Sequence, residues 1–428
     1  MIILMITQEY PPYLVGGVAT HVQELSKGLV RAGHTVHVFS YSTERTFTSQ
    51  DQGVCVHFLR SPLSGRDHQY DGDLQDRELL NRMLAEHAGE FFQNNQPPDV
   101  IHVHEWIVFG CAELLRKVFN VPLVVTNHMV WAWMLETLMP HPESKRIIEF
   151  ERHSCRHADT VIAVSRSIKE QIVARYGVDD GRVNVVLNGL NAAIFDPRKL
   201  RQPEIEEERE RLGVGGDKLI VYAGRLTSQK GVSALLRSAM KVLQKRDDVR
   251  YIIAGKLEPG SYSDILTRMV KGHPKLKSRV IFLDRVPRER LAVLYGLATM
   301  IVVPSIYEPF GYAAVEAMAA GKPVVASNTG GLAEIIEDEK SGLLVPLIPL
   351  DAQTGIYDVD VSGLVSAQLR ICEDPELAGR LGERARERIL ALFNVDQMVE
   401  GTLKIYSKIV ESQKLLRIDR DDAVGCAL

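Results

Sequence analysis

The sequence predicts an α/β protein built from two doubly wound, parallel-sheet domains. Short β-branched runs alternate with longer amphipathic stretches almost from end to end, the signature of strands covered by helices. The alternation breaks once, over a charged stretch without a strand. At 428 residues the chain is also too long for one comfortable core.

Taken in order, "MIILMIT" is the first strand, followed by a helix near 18–32 that stops at Gly33, then "TVHVFS". "DVIHVH", "PLVVTN", "DTVIAVS" and "VNVVLNG" continue the series and define a Rossmann-like domain over 1–195. Residues 196–212, "DPRKLRQPEIEEERERL", read as a connector and a surface helix. A second Rossmann-like series, "LIVYAG", "RYIIAG", "RVIFLD", "MIVVPS", "PVVAS" and "GLLVPL", fills 213–395. The helical pattern at 396–413 is the last element, and 414–428 is expected to be a frayed polar tail. Three stretches fit less well: a polar turn-rich loop at 61–76, an aromatic and Met-rich loop at 129–141, and an insertion at 348–360.

Bulk properties exclude several functions. A net charge of −4 and a pI near 6.4 argue against a nucleic-acid binder. No apolar run reaches the roughly 18 residues of a transmembrane segment. The N-terminus lacks a basic region before its apolar run and reads as a strand, not a signal peptide. Five cysteines with no C-x-x-C pair point to a reducing cytoplasm and no structural zinc. Cys426 stands third from the end, where a prenylation signal needs it fourth.

The stretch "EPFGYAAVE", 308–316, carries the most chemistry. Glu308 falls in a strand-to-helix loop. A helix starting near Gly311 aims free N–H groups at an anion, and Glu316 lies about 7.5 Å further along it. That offset suits a nucleotide's diphosphate and its ribose hydroxyls, with Glu308 toward a transferred sugar. The plain alternative, an acid near a helix start stabilising the dipole, covers Glu316 but not Glu308.

After "LIVYAG" come Arg225 and Lys230, two cations that could neutralise a departing diphosphate or simply be solvated. Gly16 and Gly17 open the first helix, where backbone N–H groups can approach a phosphate or sugar, although a tight turn explains them as well. His128 stands just past a strand, a position that favours function over structure. His102 and His104 share one strand face, with no third metal ligand spaced nearby. Two D-x-D triplets, at 71–73 and 358–360, are expected to face solvent rather than hold a metal.

"EPFGYAAVE" with "GRLTSQKG", "AMAAGKPVVAS" and "TGGLAEII" resembles the retaining glycosyltransferases of family 4, over about residues 1–410. The resemblance implies the GT-B architecture of two facing Rossmann domains, with the final helix crossing back onto the first. It implies that Glu308 and His128 contact the donor sugar and Glu316 the ribose. Gly311 and Tyr312 would give backbone N–H groups to the phosphates, Arg225 and Lys230 would hold the diphosphate, and Gly16 and Gly17 would approach the donor from the other domain. No metal and no cofactor is implied. The partners would be a UDP-, ADP- or GDP-sugar and a hydroxyl acceptor, a glycan among them, with a hexosyl and specifically glucosyl group transferred. The route implied is same-face, the departing phosphate helping to deprotonate the acceptor. "VHEWIVFGCAELL" and "VVTNHM" are similar to glycogen and starch synthases, the nearest alternative. Those enzymes carry lysine where this chain has Leu14, and the bacterial ones cysteine where it has Phe310. A nucleotide-sugar epimerase of the same fold and a non-catalytic sugar-binding protein are weaker readings of the same motifs.

Overall fold

The computed structural model describes residues 1–13, 16–61, 74–137, 141–257, 260–351 and 356–425. The chain divides into two compact units, one of Met1–Trp133, His141–Gly189 and Val395–Leu428, the other of Met134–Pro140 and Leu190–Asn394.

The first unit is built on β1 (Ile2–Ile6), β2 (Thr35–Ser42), β3 (Phe47–Asp51), β4 (Val54–Arg60), β5 (Val100–His104), β6 (Leu123–Asn127), β7 (Thr160–Ala163) and β8 (Val183–Val185). They form one sheet in the order β3-β4-β2-β1-β5-β6-β7-β8. All neighbours are parallel except β3, which pairs antiparallel with β4 at the edge. Every residue of β5 and β6 is buried, and their polar residues His102, His104, Thr126 and Asn127 each have a hydrogen-bond partner. Strand order reverses between β1 and β5. Ligand crevices of doubly wound sheets open at such a reversal, beyond the strands' carboxyl ends.

The final helix, Val395–Gly425, belongs to this unit and extends past residue 413. Val395, Met398, Val399 and Tyr406 lie in the same core as Val22, Leu25 and Leu29 of the first helix, Gly17–Arg31. Gly28 permits that approach, since a Cβ there would stand 2.4 Å from Val399 Cγ2. Residues 131–137, expected as loop, form a helix that buries Trp131, Met134 and Leu135, so their apolar character serves packing.

The second unit has β9 (Lys218–Ala223), β10 (Val249–Ala254), β11 (Val280–Leu283), β12 (Met300–Val303), β13 (Val324–Ser327) and β14 (Leu343–Val345), in the order β11-β10-β9-β12-β13-β14, all parallel. Its reversal lies between β9 and β12. The stretch around 348–360 forms an antiparallel hairpin of β15 (Leu347–Asp351) and β16 (Ile356–Val359). Residues 202–212 form a helix whose single buried carboxylate, Glu208, is met by Arg290 at 2.7 Å. Among the described residues no helix is long and apolar enough to cross a membrane.

Candidate active site

In the second unit, the loops after β9 and β12 flank the point of strand reversal, and the candidate residues come from both. The loop after β9 carries Arg225, whose carbonyl accepts from the Tyr222 hydroxyl at 2.8 Å while its side chain stays exposed. It ends in a 3₁₀ turn, Ser228–Lys230, and then Gly231. Gly231 has φ +65° and a Cβ there would lie 1.8 Å from the Pro304 carbonyl oxygen, so only glycine lets this loop close against the one after β12.

That closure unites Lys230 with Glu308: Nζ donates to Oε2 at 2.7 Å, and the Ser305 hydroxyl donates to the same oxygen at 3.0 Å. Both charged groups are largely buried, with side-chain exposures of 17% and 12%, so the pair is shielded from screening. The backbone around Glu308 is clamped from below. The Gly331 N–H donates to the Glu308 carbonyl at 2.8 Å, and a Cβ on Gly331 would stand 2.4 Å from the Phe310 carbonyl. The "TGG" run is thus a packing surface for the 308–310 loop.

Gly311 caps the helix Tyr312–Ala319 with φ +120°, a conformation glycine adopts readily. Glu316, the fifth residue of that helix, is buried, and burial raises its carboxyl to about 7 although Arg288 opposes the shift. Arg288 Nη2 donates to Glu316 Oε1 at 3.3 Å, and its guanidinium lies over the Phe195 ring at 5.5 Å. Neither Arg288 nor Ser305 was singled out in the sequence. Ser305 had a signal in its place three residues before Glu308; Arg288 had none.

The first unit gathers a second cluster around its own reversal point. His21 of the first helix, His104 at the end of β5 and His128 just past β6 pack ring against ring, with His104 Nδ1 and His128 Nε2 3.2 Å apart. The third imidazole that spacing did not reveal is therefore His21, brought in from residues away by the sheet. Burial lowers all three, His21 to about 4, so the cluster is neutral near pH 7 and can accept or donate hydrogen bonds without carrying charge. His102, on the same face of β5 with its ring 4.3 Å from that of His104, is held between the Tyr406 hydroxyl at 2.5 Å and Thr126 at 2.7 Å, and has a structural role.

Two buried acids brace the His128 loop. Glu105, at φ +73°, accepts the His128 N–H at 2.7 Å. Glu151 accepts the Trp131 N–H at 2.8 Å, as well as the Tyr176 hydroxyl. Burial raises both carboxyls, Glu151 to about 8. The Gly16 N–H donates to Glu9 Oε2 at 2.9 Å. Gly16 is extended, and among the described residues a Cβ on it would meet only that oxygen, at 4.0 Å, so neither strain nor packing against them asks for glycine there.

The expectation for 358–360 is corrected. Asp358 does not face solvent: it is buried on β16 and ion-paired with Arg237, while Asp360 caps the helix Val361–Glu373 by accepting from the Ser362 N–H at 2.9 Å. Fixing the hairpin against the helices consumes both carboxylates. Asp71, Asp73, Leu14 and Cys426 lie outside the described residues.

Residues 15–193 match the family model "Glycosyltransferase Family 4" and residues 204–388 the model "Glycosyl transferases group 1". A glycosyltransferase of Methanocaldococcus jannaschii is 32% identical over 96% of this chain and 99% of its own. The chain belongs to glycosyltransferase family 4. It is an enzyme of the hexosyltransferase class related to glycogen synthases, that of Mycobacterium tuberculosis being 29% identical over 95% of this chain and 94% of its own. Sucrose-phosphate synthase from Thermosynechococcus elongatus superposes with a TM-score of 0.78 at 25% identity, covering 96% of this chain and 99% of that one. The fold is GT-B, and in this family 4 member the "EPFGYAAVE" acids lie at the second unit's strand reversal.

Proposed function

We propose that this enzyme transfers a glucosyl group from a nucleotide diphosphate sugar to a hydroxyl acceptor with retention of configuration. The observation that carries the reading is the Lys230–Glu308–Ser305 group beside the Gly311 helix start, with buried Glu316 further along the same helix. The helix N-terminus supplies N–H groups and a positive dipole end to a diphosphate, through Gly311 and Tyr312. Lys230 and Arg225 stabilise the negative charge that grows on the leaving phosphate, so that no metal is required there. Glu308 faces the sugar as positive charge develops on it, and Glu316 accepts ribose hydroxyls. His128 is assigned a neutral hydrogen bond to the donor sugar, and Gly16 a close backbone approach, as its freedom from packing and strain allows; Gly17 shares that role. In the same-face route, the departing phosphate takes the acceptor's proton.

The donor nucleotide is assigned to domain 213–395 and the acceptor to the loops of domain 1–195. The proposed location is the cytoplasm, in keeping with the four described cysteines, all unpaired. The experiment is to incubate the protein with UDP-, ADP- and GDP-glucose, with and without glycan acceptors, and to follow nucleoside diphosphate release and the product's anomeric configuration by NMR. Failure of all three donors to bind, or an inverted product, overturns the reading. α-Glucan elongation is the second reading, favoured by the likeness to glycogen synthase; longer glucan chains in the same assay would establish it.

A further inference from the structure

We propose that His37, Cys55 and His57 form a zinc-type metal site on the first unit's sheet, separate from the transfer chemistry. In the β2–β4 ladder His37 pairs with Cys55 and Phe39 with His57. Paired residues of a parallel ladder, and residues two apart on one strand, project from the same face. The three ligand groups therefore emerge together, and their donor atoms all lie within 4.8 Å of one another.

The contacts match a coordination sphere better than a hydrogen-bond network. His37 Nδ1 lies 3.2 Å from His57 Nε2, and Cys55 Sγ lies 3.4 Å from the same nitrogen. An imidazole nitrogen has one in-plane direction, holding either a proton or a lone pair, so it cannot serve two partners fully. A cation between the three atoms serves all of them. With Zn–N near 2.0–2.1 Å and Zn–S near 2.3 Å, a tetrahedral ion holds nitrogens about 3.4 Å apart and nitrogen and sulfur about 3.6 Å apart.

The surroundings support the ligands as an outer shell does. His57 Nδ1 is 3.3 Å from the Thr48 hydroxyl, and donating its proton there leaves the Nε2 lone pair for the ion. Phe39 stacks on the His57 ring at 4.3 Å and fixes its plane. His57 is 3% exposed, whereas His37 and Cys55 are partly exposed and leave an entry path. His87 of the helix Leu74–Gln93 flanks the group with its buried Nε2 unpartnered among the described residues, its ring 6.4 Å from that of His57. One thiolate with two imidazoles suits zinc or copper, and the near-tetrahedral spacing of the three donors is that of zinc. On binding, the Cys55 thiol releases its proton to solvent as the sulfur–metal bond forms.

Cobalt titration of the chelator-stripped full-length protein tests this. One equivalent of Co²⁺ should produce a thiolate-to-cobalt charge-transfer band, removed by Zn²⁺ and absent in Cys55→Ser. Cobalt held by His21, His104 and His128 gives d–d bands but no such charge transfer. Absence of the band, or its survival in Cys55→Ser, overturns the proposal. If the serine variant does not fold, His37→Gln decides: at least a tenfold loss of cobalt affinity is expected, and unchanged affinity refutes the site. Zinc should also raise the thermal midpoint of the wild type more than that of either variant, and equal rises refute the site.

Discussion

Lys230 Nζ and Glu308 Oε2 lie 2.7 Å apart although 78 residues separate them in the chain. The cation proposed for the leaving group and the acid proposed for the sugar are thus one coupled unit. Lys230→Ala is expected to lower kcat about 10²-fold, because the charge it stabilises develops in the transition state. Glu308→Gln should also depress kcat while nucleoside diphosphate still binds by calorimetry. The double variant should lose less than the product of the single losses, since each partner supports the other. A change confined to KM in Lys230→Ala would reduce it to a binding residue.

Glu316 should fail differently. Its proposed contact is with a part of the donor that does not react, so Glu316→Gln should chiefly weaken binding, by about 1.5–3 kcal/mol or 10- to 150-fold. Accepting hydroxyls is best done by the carboxylate, and the free enzyme's carboxyl titrates at about 7. Protons therefore compete with ligand: nucleotide affinity should fall about tenfold from pH 8 to pH 6. Calorimetry on both proteins checks this, since that component must vanish in Glu316→Gln.

Gly331→Ala should damage the site without touching a charge. The added Cβ would stand 2.4 Å from the Phe310 carbonyl and 2.5 Å from its Cα, so the 308–310 loop must move. The expected cost is about 1–3 kcal/mol of stability, together with loss of kcat. Thermal unfolding and steady-state kinetics read the two effects; full activity would show that the loop's position is not critical.

The buried histidines set an acid limit. His21, His102, His104 and His128 have folded pKa values below the ordinary 6.5, His102 at about 3, because burial disfavours the cation. Their contribution is complete above pH 6.5 and is lost as pH falls toward 4 and 3, where the unfolded chain binds more protons. Glu151 acts in the opposite sense: with its carboxyl raised to about 8, it lowers stability as pH climbs from 4.5 to 8. Between pH 4.5 and 6.5 the two effects oppose each other, so the thermal midpoint should fall below pH 4.5 through the histidines and from pH 6.5 to 8 through Glu151. His102→Gln is expected to flatten the acid limb and Glu151→Gln the alkaline one, and a midpoint independent of pH from 4 to 8 would contradict both assignments.

What the sequence determined by itself is what depends on local pattern. Alternating apolar runs and amphipathic stretches were enough for two parallel α/β units, since a strand buried on both faces is largely apolar along its length, as β1 and β12 are. The helix after Gly311, with Glu308 before it and Glu316 within it, was legible because all three lie within nine residues. Tertiary structure alone decided the partnerships. Lys230 meets Glu308, Arg288 meets Glu316, His21 joins His104 and His128, and Asp358 turns inward to Arg237. Each joins residues from elements or loops distant in the sequence, and strand order, which no local periodicity encodes, sets which loops become neighbours. The same holds for His37, Cys55 and His57: the sequence offered no C-x-x-C pair, and only the register of β2 on β4 puts the three on one face.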